Sequence, residues 1–397
     1  MKAIILAGGY ATRLMPLTLR IPKLLLPVAG KPLIHYCLDM LKEAGVDEVV
    51  FSLNATQKIV QKAIGSEYEG MSISFIFEET HAEGEKLGAI GGMQYAAERT
   101  SVDEDCLLIG SDNFVYGLDL KRMVEEHRSR GPHATIALFD LLDEKDVEHF
   151  GVALLDGKRI TRFQEKPNIS EAVSKLASTA IYHVSPEFFK RVPTFVTEKK
   201  AQGLKADRPG DLWEHLVEKG EQIEGFVFKG VWGDIGNPAT YISTNKLAMT
   251  LLPPCEQVDH PSGFVVAGEK MIVSKSARIG SGAVLKAPVI IDDNAVIGEN
   301  SVIGPYTHVM KGARVGAAST VSGSILFEGS VIEDKCLVRD SIIDRESVIA
   351  EGVTIAENSL VGEKCVIGAG SRLLPNTRVW PKLKLDKESS LQGTIRA

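Results

Sequence analysis

From Val273 onward the chain repeats every six residues, and nothing else in it limits the fold so tightly. Aliphatic side chains stand at Val273, Ile279, Leu285, Ile291, Ile297, Ile303, Val309, Val315 and Val321. A five-residue step leads to Leu326, six-residue steps to Ile332 and Val338, and a second five-residue step to Ile343. The six-residue spacing then runs through Ile349, Ile355, Val361, Ile367, Leu373 and Val379. Four residues after most of these comes a small or compact residue: Ala277, Ala283, Ala295, Ser301, Thr307, Ala313, Ser319, Ser330, Ser347, Ser359 and Ser371. With aliphatics at roughly a quarter of positions in average proteins, so long an unbroken series is not chance. The period fits a hexapeptide β-helix, in which each hexad supplies one short strand and a corner. The aliphatic side chain points inward and the small residue fits where the chain turns. Three hexads per coil predict about six coils over residues 271–382. Residues 383–397 fall outside the series and read as a polar capping tail.

Residues 1–250 follow a different pattern. Short apolar runs alternate with helical spacing, the signature of an α/β sheet with helices on its faces. Residues 3–6, 48–53, 73–77, 106–109 and 134–139 read as strands. Residues 31–44 read as a helix with Pro32 in its first turn and Gly45 as its stop. Between the two regions the run LLPPCEQVDHP suits a connector, placed at residues 251–270. Two domains also suit a chain of 397 residues, which exceeds what one core usually organises.

Composition removes several function classes. The net charge of −7 argues against a broad nucleic-acid surface, which needs clustered Lys and Arg. No apolar stretch is long enough for a membrane span. Five scattered cysteines, without a CxxC pair, favour reduced thiols and a cytoplasmic setting over disulfides or zinc.

The residues with chemical promise lie in the first region. The opening strand runs into Leu6-Ala7-Gly8-Gly9-Tyr10-Ala11-Thr12-Arg13-Leu14, then Pro16-Leu17-Thr18, then Pro22-Lys23 and Leu26-Pro27-Val28-Ala29-Gly30-Lys31-Pro32. Paired glycines let backbone N–H groups approach an anion, and Arg13 and Lys23 add cations. The spacing is neither a Walker loop nor GxGxxG. Gly88, in the run 87–93, would open a helix whose N-terminal amides can face a nucleotide. Asp112 follows the apolar strand 106–109, where open α/β sheets bind ligands. Asp234 stands between glycines in Gly230-Val231-Trp232-Gly233-Asp234-Ile235-Gly236-Asn237-Pro238. Either aspartate alone reads as a turn residue or cap. Together they suggest two carboxylates for one Mg²⁺. Gly151 in a strand, Phe163-Gln164-Glu165-Lys166-Pro167, and Ser178 in the run 177–182 complete the set.

Taken whole, these strings resemble the sugar-1-phosphate nucleotidyltransferase family, whose members read LAGGxGTRLxPLT, then PKxLLPVxGKP. The resemblance implies a Rossmann-like mixed-sheet nucleotidyltransferase domain followed by a left-handed parallel β-helix. It implies that Leu6, Ala7, Gly8, Gly9, Arg13 and Gly88 bind the nucleoside triphosphate and that Lys23 contacts phosphate. Glu165 would hold sugar hydroxyls and Lys166 the sugar phosphate, with Gly151 and Ser178 beside them. Asp112 and Asp234 would hold Mg²⁺. Arg13, Lys23, Asp112, Lys166 and Asp234 would then form the catalytic set for attack of a sugar 1-phosphate on the α-phosphorus, with pyrophosphate leaving.

The sequence departs from the family pattern at Ala11, Ser111, Asn237, Ser178 and Ala180, and around Gly88 only Leu87, Gly88 and Gly91 match LGTAGA. The branch resembled most is glucose-1-phosphate thymidylyl- or uridylyltransferase, with mannose-1-phosphate guanylyltransferase as the alternative. Some relatives carry an acetyltransferase β-helix, for which His308 is the sole histidine within the repeats. Subunits of the translation initiation nucleotide-exchange factor use the same architecture as scaffolds. The expectation is an enzyme whose β-helix is structural or builds a homo-oligomer.

Overall fold

The computed structural model describes residues 1–100, 102–204, 206–252, 265–267 and 269–396. Most of the expected connector lies outside them. The chain forms two compact units, one of Met1–Tyr10 with Leu33–Trp232 and one of Ala11–Pro32 with Gly233–Ala397. The segment 11–32, which carries Arg13 and Lys23, therefore belongs with the C-terminal unit.

The first unit is built on a ten-stranded mixed sheet. Its order is Gly151–Asp156, Arg159–Glu165, Ile223–Phe228, Ala134–Asp140, Leu176–Val184, Cys106–Gly110, Lys2–Ala7, Glu48–Asn54, Met71–Glu78 and Glu67–Tyr68. Cys106–Gly110, Lys2–Ala7, Glu48–Asn54 and Met71–Glu78 run parallel, so their carboxyl ends share one edge. Leu176–Val184 is antiparallel to both its neighbours. Ile4, Leu108, Ile136 and Tyr182 pack with Phe188 and Trp213 from the helices Pro186–Ala201 and Pro209–Glu218, which gives one face of the sheet its core.

The helix expected over 31–44 begins only at Leu33 and ends at Glu43. Lys31–Pro32 instead pairs with Pro27–Val28 as a two-residue hairpin. Ala29 and Gly30, both at positive φ, form its turn. Proline also restricts the residue before it to extended backbone, which keeps Lys31 out of a helix.

The second unit contains the left-handed parallel β-helix. Three parallel sheets of eight, eight and seven strands stack with the aliphatic series in register. One column reads Leu285, Ile303, Val321, Val338, Ile355, Leu373 and Leu391. The five-residue steps shorten a corner and leave this register intact, since Val321 still faces Val338. Corners occupy left-handed backbone at Asn294, Asn300, Asn358 and Asn376, each just before the small residue. Several small residues also bond the next coil. Ser301 Oγ donates to the Gly316 carbonyl at 2.7 Å and Ser347 Oγ to that of Gly362 at 2.7 Å.

Two expectations are corrected. Residues 383–397 are not a tail, because Lys384–Leu385, Ser390–Leu391 and Thr394–Ile395 add strands to all three faces. Leu385 and Leu391 continue the six-residue step and pack against the aliphatic core, while the polar residues between them lie outside it. With Val265–Ala267 at the other end, the stack exceeds six coils.

Candidate active site

In the first unit the glycine loop follows the buried strand Lys2–Ala7. Asn54 Nδ2 donates to the Gly8 carbonyl at 3.1 Å and Gln57 Nε2 to that of Gly9 at 3.3 Å. Tyr10 donates to Thr80 Oγ1 at 3.3 Å. A Cβ at Gly8 would collide with the Glu78 carboxylate. Glu78 is buried, accepts from Ser52 Oγ at 3.1 Å, and has its pKa raised by that burial. The sequence alone carried no signal for Asn54, Gln57 or Glu78, which lie at the carboxyl ends of neighbouring strands.

Asp112 follows the strand Cys106–Gly110, at the same edge. Asn113 Nδ2 donates to Asp112 Oδ1 at 3.1 Å, and Trp232 Nε1 donates to Asn113 Oδ1 at 2.9 Å. Trp232 is itself packed on Phe150, with ring centroids 4.5 Å apart. A buried aromatic thus orients the Asn113 amide, and the amide orients the carboxylate.

The sugar-side residues also converge. Glu165 pairs with Gly151 across two antiparallel strands. A Cβ at Gly151 would crowd Phe163 and Glu165, and one at Gly210 would collide with Glu165. Burial raises the Glu165 pKa, with Lys166 and then Arg208 pulling against it. Lys166 is exposed and holds positive φ, its N–H donating to the Phe150 carbonyl at 3.1 Å. Ser178 begins a bulge against Ala134–Asp140, and the neighbouring Ala180 sits at φ 55 close to Gly110. Ala180 therefore holds backbone in which glycine is unstrained, which accounts for the glycine usual there in the family. Gly88 opens the helix Gly88–Thr100 at positive φ, and any side chain there would collide with Asp207.

The second unit groups Arg13, Lys23 and Asp234. Lys23 Nζ lies 3.7 Å from Asp234 Oδ1. A Cβ at Gly236 would stand 2.9 Å from Asp234 Oδ2 and 3.7 Å from Arg13 Nη2, so the glycine keeps the carboxylate and the guanidinium close. Ala11 adopts the left-handed conformation at φ 48 and ψ 39, and Thr18 Oγ1 donates to its carbonyl at 2.9 Å. Ala11 thus holds the backbone that the family's glycine would hold. Asn237 caps the helix Pro238–Met249 by accepting from the Thr240 N–H at 3.1 Å, a role threonine also fills.

His308 is buried, and its Nε2 lies 3.0 Å from Asp292 Oδ2. The ring stands on the outer face of its strand, since its neighbour Val309 and not His308 belongs to the inner aliphatic core, and its register partners Ile290 and Ile325 also lie outside that core. Among the described residues no helix is long and apolar enough to cross a membrane.

Comparison with known proteins agrees with this geometry. A family model described as nucleotidyl transferase matches residues 2–250, and one described as GMPPB C-terminal domain matches residues 285–395. A Sulfolobus acidocaldarius protein, provisionally named a mannose-1-phosphate guanyltransferase, is 30% identical over 74% of this chain and 71% of its own length. The mannose-1-phosphate guanylyltransferase 1 of Arabidopsis thaliana is 29% identical over 73% of this chain and 76% of its own. The UTP–glucose-1-phosphate uridylyltransferase of Synechocystis is 30% identical over 61% of each chain. Among solved structures, a provisionally named glucose-1-phosphate thymidylyltransferase from Bacillus anthracis superposes with a TM-score of 0.54 at 27% identity, over 62% of this chain and 95% of its own. A match over most of the chain, on top of the glycine loop and the strand-end aspartate, places this protein in the nucleotidyl transferase family as a sugar-1-phosphate nucleotidyltransferase.

Proposed function

We propose that the chain transfers a guanylyl group from GTP to mannose 1-phosphate, releasing pyrophosphate. The observation that carries the choice of substrates is the C-terminal match to the GMPPB domain, which spans nearly the whole β-helix. The Sulfolobus and Arabidopsis relatives, matched over 74% and 73% of this chain, support it. This replaces the leaning of the sequence reading toward glucose 1-phosphate with dTTP or UTP. That second reading keeps the support of the Synechocystis relative, whose match is confined to a shorter stretch.

In the proposed reaction a phosphate oxygen of the sugar 1-phosphate attacks the α-phosphorus in line. A phosphate monoester is largely dianionic near neutral pH, so no general base is needed. The protein must bring two polyanions together and offset charge on the pentacoordinate phosphorus. Gly8 and Gly9 leave backbone open to the triphosphate, Arg13 and Lys23 supply fixed cations, and Lys166 meets the sugar phosphate. Glu165, half-buried between glycines, would accept from sugar hydroxyls.

Asp112 and Asp234 fit a hard divalent cation by donor type, because Mg²⁺ prefers a few carboxylates plus phosphate oxygens. The Trp232–Asn113 relay holds the Asp112 carboxylate in place before any ion arrives. Held by these two carboxylates, Mg²⁺ would supply positive charge against that of the phosphates. The β-helix is assigned a structural and oligomerising role, and the buried thiols Cys37, Cys106, Cys336 and Cys365 fit a reducing, cytoplasmic setting.

The test is pyrophosphate release from purified protein with Mg²⁺, each of GTP, UTP, dTTP, ATP and CTP, and a panel of hexose 1-phosphates. Release confined to GTP with mannose 1-phosphate is expected. Release with UTP or dTTP and glucose 1-phosphate alone would replace the substrate assignment, and none from any pair would remove the reaction.

A further inference from the structure

The first unit holds a second group of ligating side chains that the nucleotidyl reaction does not use. Asp105, His127 and His183 come from three elements: the residue before the strand Cys106–Gly110, the helix Leu120–Arg130 and the strand Leu176–Val184. One ligand atom of each lies within 4.8 Å of the others. His183 is fully buried, and neither of its ring nitrogens has a hydrogen-bond partner in the protein. His127 is also buried. Its Nδ1 lies 2.8 Å from Thr135 Oγ1, while Nε2 lacks a hydrogen bond and lies 3.9 Å from Asp105 Oδ2.

Buried polar atoms are nearly always satisfied, so three unpartnered imidazole nitrogens beside a carboxylate require an explanation. A structural role for two packed imidazoles, tilted by 42° with centroids 4.0 Å apart, explains their packing and leaves those nitrogens orphaned. A bound cation would satisfy two of them, His127 Nε2 and one nitrogen of His183. Burial holds both rings neutral, pushing His127 down to about 4 and His183 to about 3, so each keeps a lone pair. The Thr135 hydroxyl fixes the His127 ring through its other nitrogen, the arrangement that orients metal-bound histidines. Thr135 is also the cross-strand neighbour of His183, so one short stretch of sheet supports both ligands. Asp105 is partly exposed, which opens the group to solvent. Arg128 is the cation that faces these groups and opposes a metal, whereas Glu104 adds negative charge at Asp105.

We propose that Asp105, His127 and His183 form a binding site for one Zn²⁺, with water completing four-coordination. Two imidazoles and a carboxylate suit zinc far better than magnesium, which takes oxygen donors. Asp105 and Asp112 lie beyond opposite ends of the strand Cys106–Gly110, so the ion would sit roughly 20 Å from the nucleotidyl chemistry. It would join the helix Leu120–Arg130 to two strands as a structural clip.

The test uses the full chain, stripped of metal and titrated with Co²⁺ in excess Mg²⁺, reading the visible absorption of four-coordinate Co²⁺. One equivalent with intense bands, displaced by Zn²⁺, is expected, and the same bands should persist in Asp112→Ala. Asp105→Asn, at a partly exposed position that tolerates the change, should weaken binding at least tenfold. His183→Phe should abolish the bands, and Thr135→Val should weaken binding about tenfold. Circular dichroism checks that each variant is folded. Folded wild-type protein without bands, or bands unchanged by Asp105→Asn and His183→Phe, would overturn the site.

Discussion

The two regions of this protein spend their residues differently. In the β-helix every coil repeats the last, with an aliphatic core position, a left-handed corner and a small residue. Neighbours in space are one coil apart in sequence. In the mixed sheet, residues far apart in sequence meet at one edge, as when Gly8 abuts Glu78 and Trp232 reaches Asn113. Repetition gives stability that any coil can share, whereas chemistry needs residues that occur once. The segment 11–32 crosses this division, since it carries Arg13 and Lys23 yet packs with the repetitive region. There Arg378 Nη1 donates to the Arg13 carbonyl at 2.9 Å and Arg20 pairs with Glu363.

The comparison can be broken at several points. The largest effect is expected at a residue that occurs once. Asp112→Ala should lower kcat about a thousandfold, on the order of 4 kcal/mol, with folding unchanged by circular dichroism. A variant that retains a tenth of the activity would remove Asp112 from the site. In the repeat, Ile349→Ala should destabilise by about 3 kcal/mol through the cavity it leaves at a fully buried position. Calorimetry should show that loss with little change in kcat.

A subtler contrast lies in charge. Asp344 is buried in the β-helix, and burial pushes its pKa up to about 6. A raised carboxyl pKa penalises the charged form, so the stabilisation is full below the ordinary carboxylate value and is lost as pH rises through about 6. Asp344→Asn should therefore coincide with the parent near pH 4 and exceed it by about 2 kcal/mol at pH 8. A parallel pair of stability curves would show that Asp344 does not titrate in this range.

The smallest effects test the segment that crosses the division. Arg378→Ala should raise the KM for the nucleoside triphosphate a few-fold, about 1 kcal/mol, with kcat nearly kept. Ala11→Gly should raise stability by somewhat less than about 1 kcal/mol, because glycine holds left-handed backbone without the Cβ clash. A loss of stability there would mean that the Ala11 methyl packs usefully.

Much of the fold was legible because the relevant patterns are local. The strands at 48–53, 73–77, 106–109 and 134–139 each lie within an observed strand, and the inward aliphatics of the β-helix are those the six-residue spacing named. The final coil was missed because lysines and acids dominate 382–390, although Leu385 and Leu391 kept the period. The sequence by itself thus determined the two architectures, the inward face of the repeat and the identities of the residues with chemical promise, since hydrophobic period and glycine placement act over a few residues. Tertiary structure alone decided that 11–32 belongs with the β-helix, that Glu78 lies against Gly8, and that Asp105, His127 and His183 share one pocket of space. Those contacts join residues many positions apart, and only the packing of sheets and coils brings their side chains within reach.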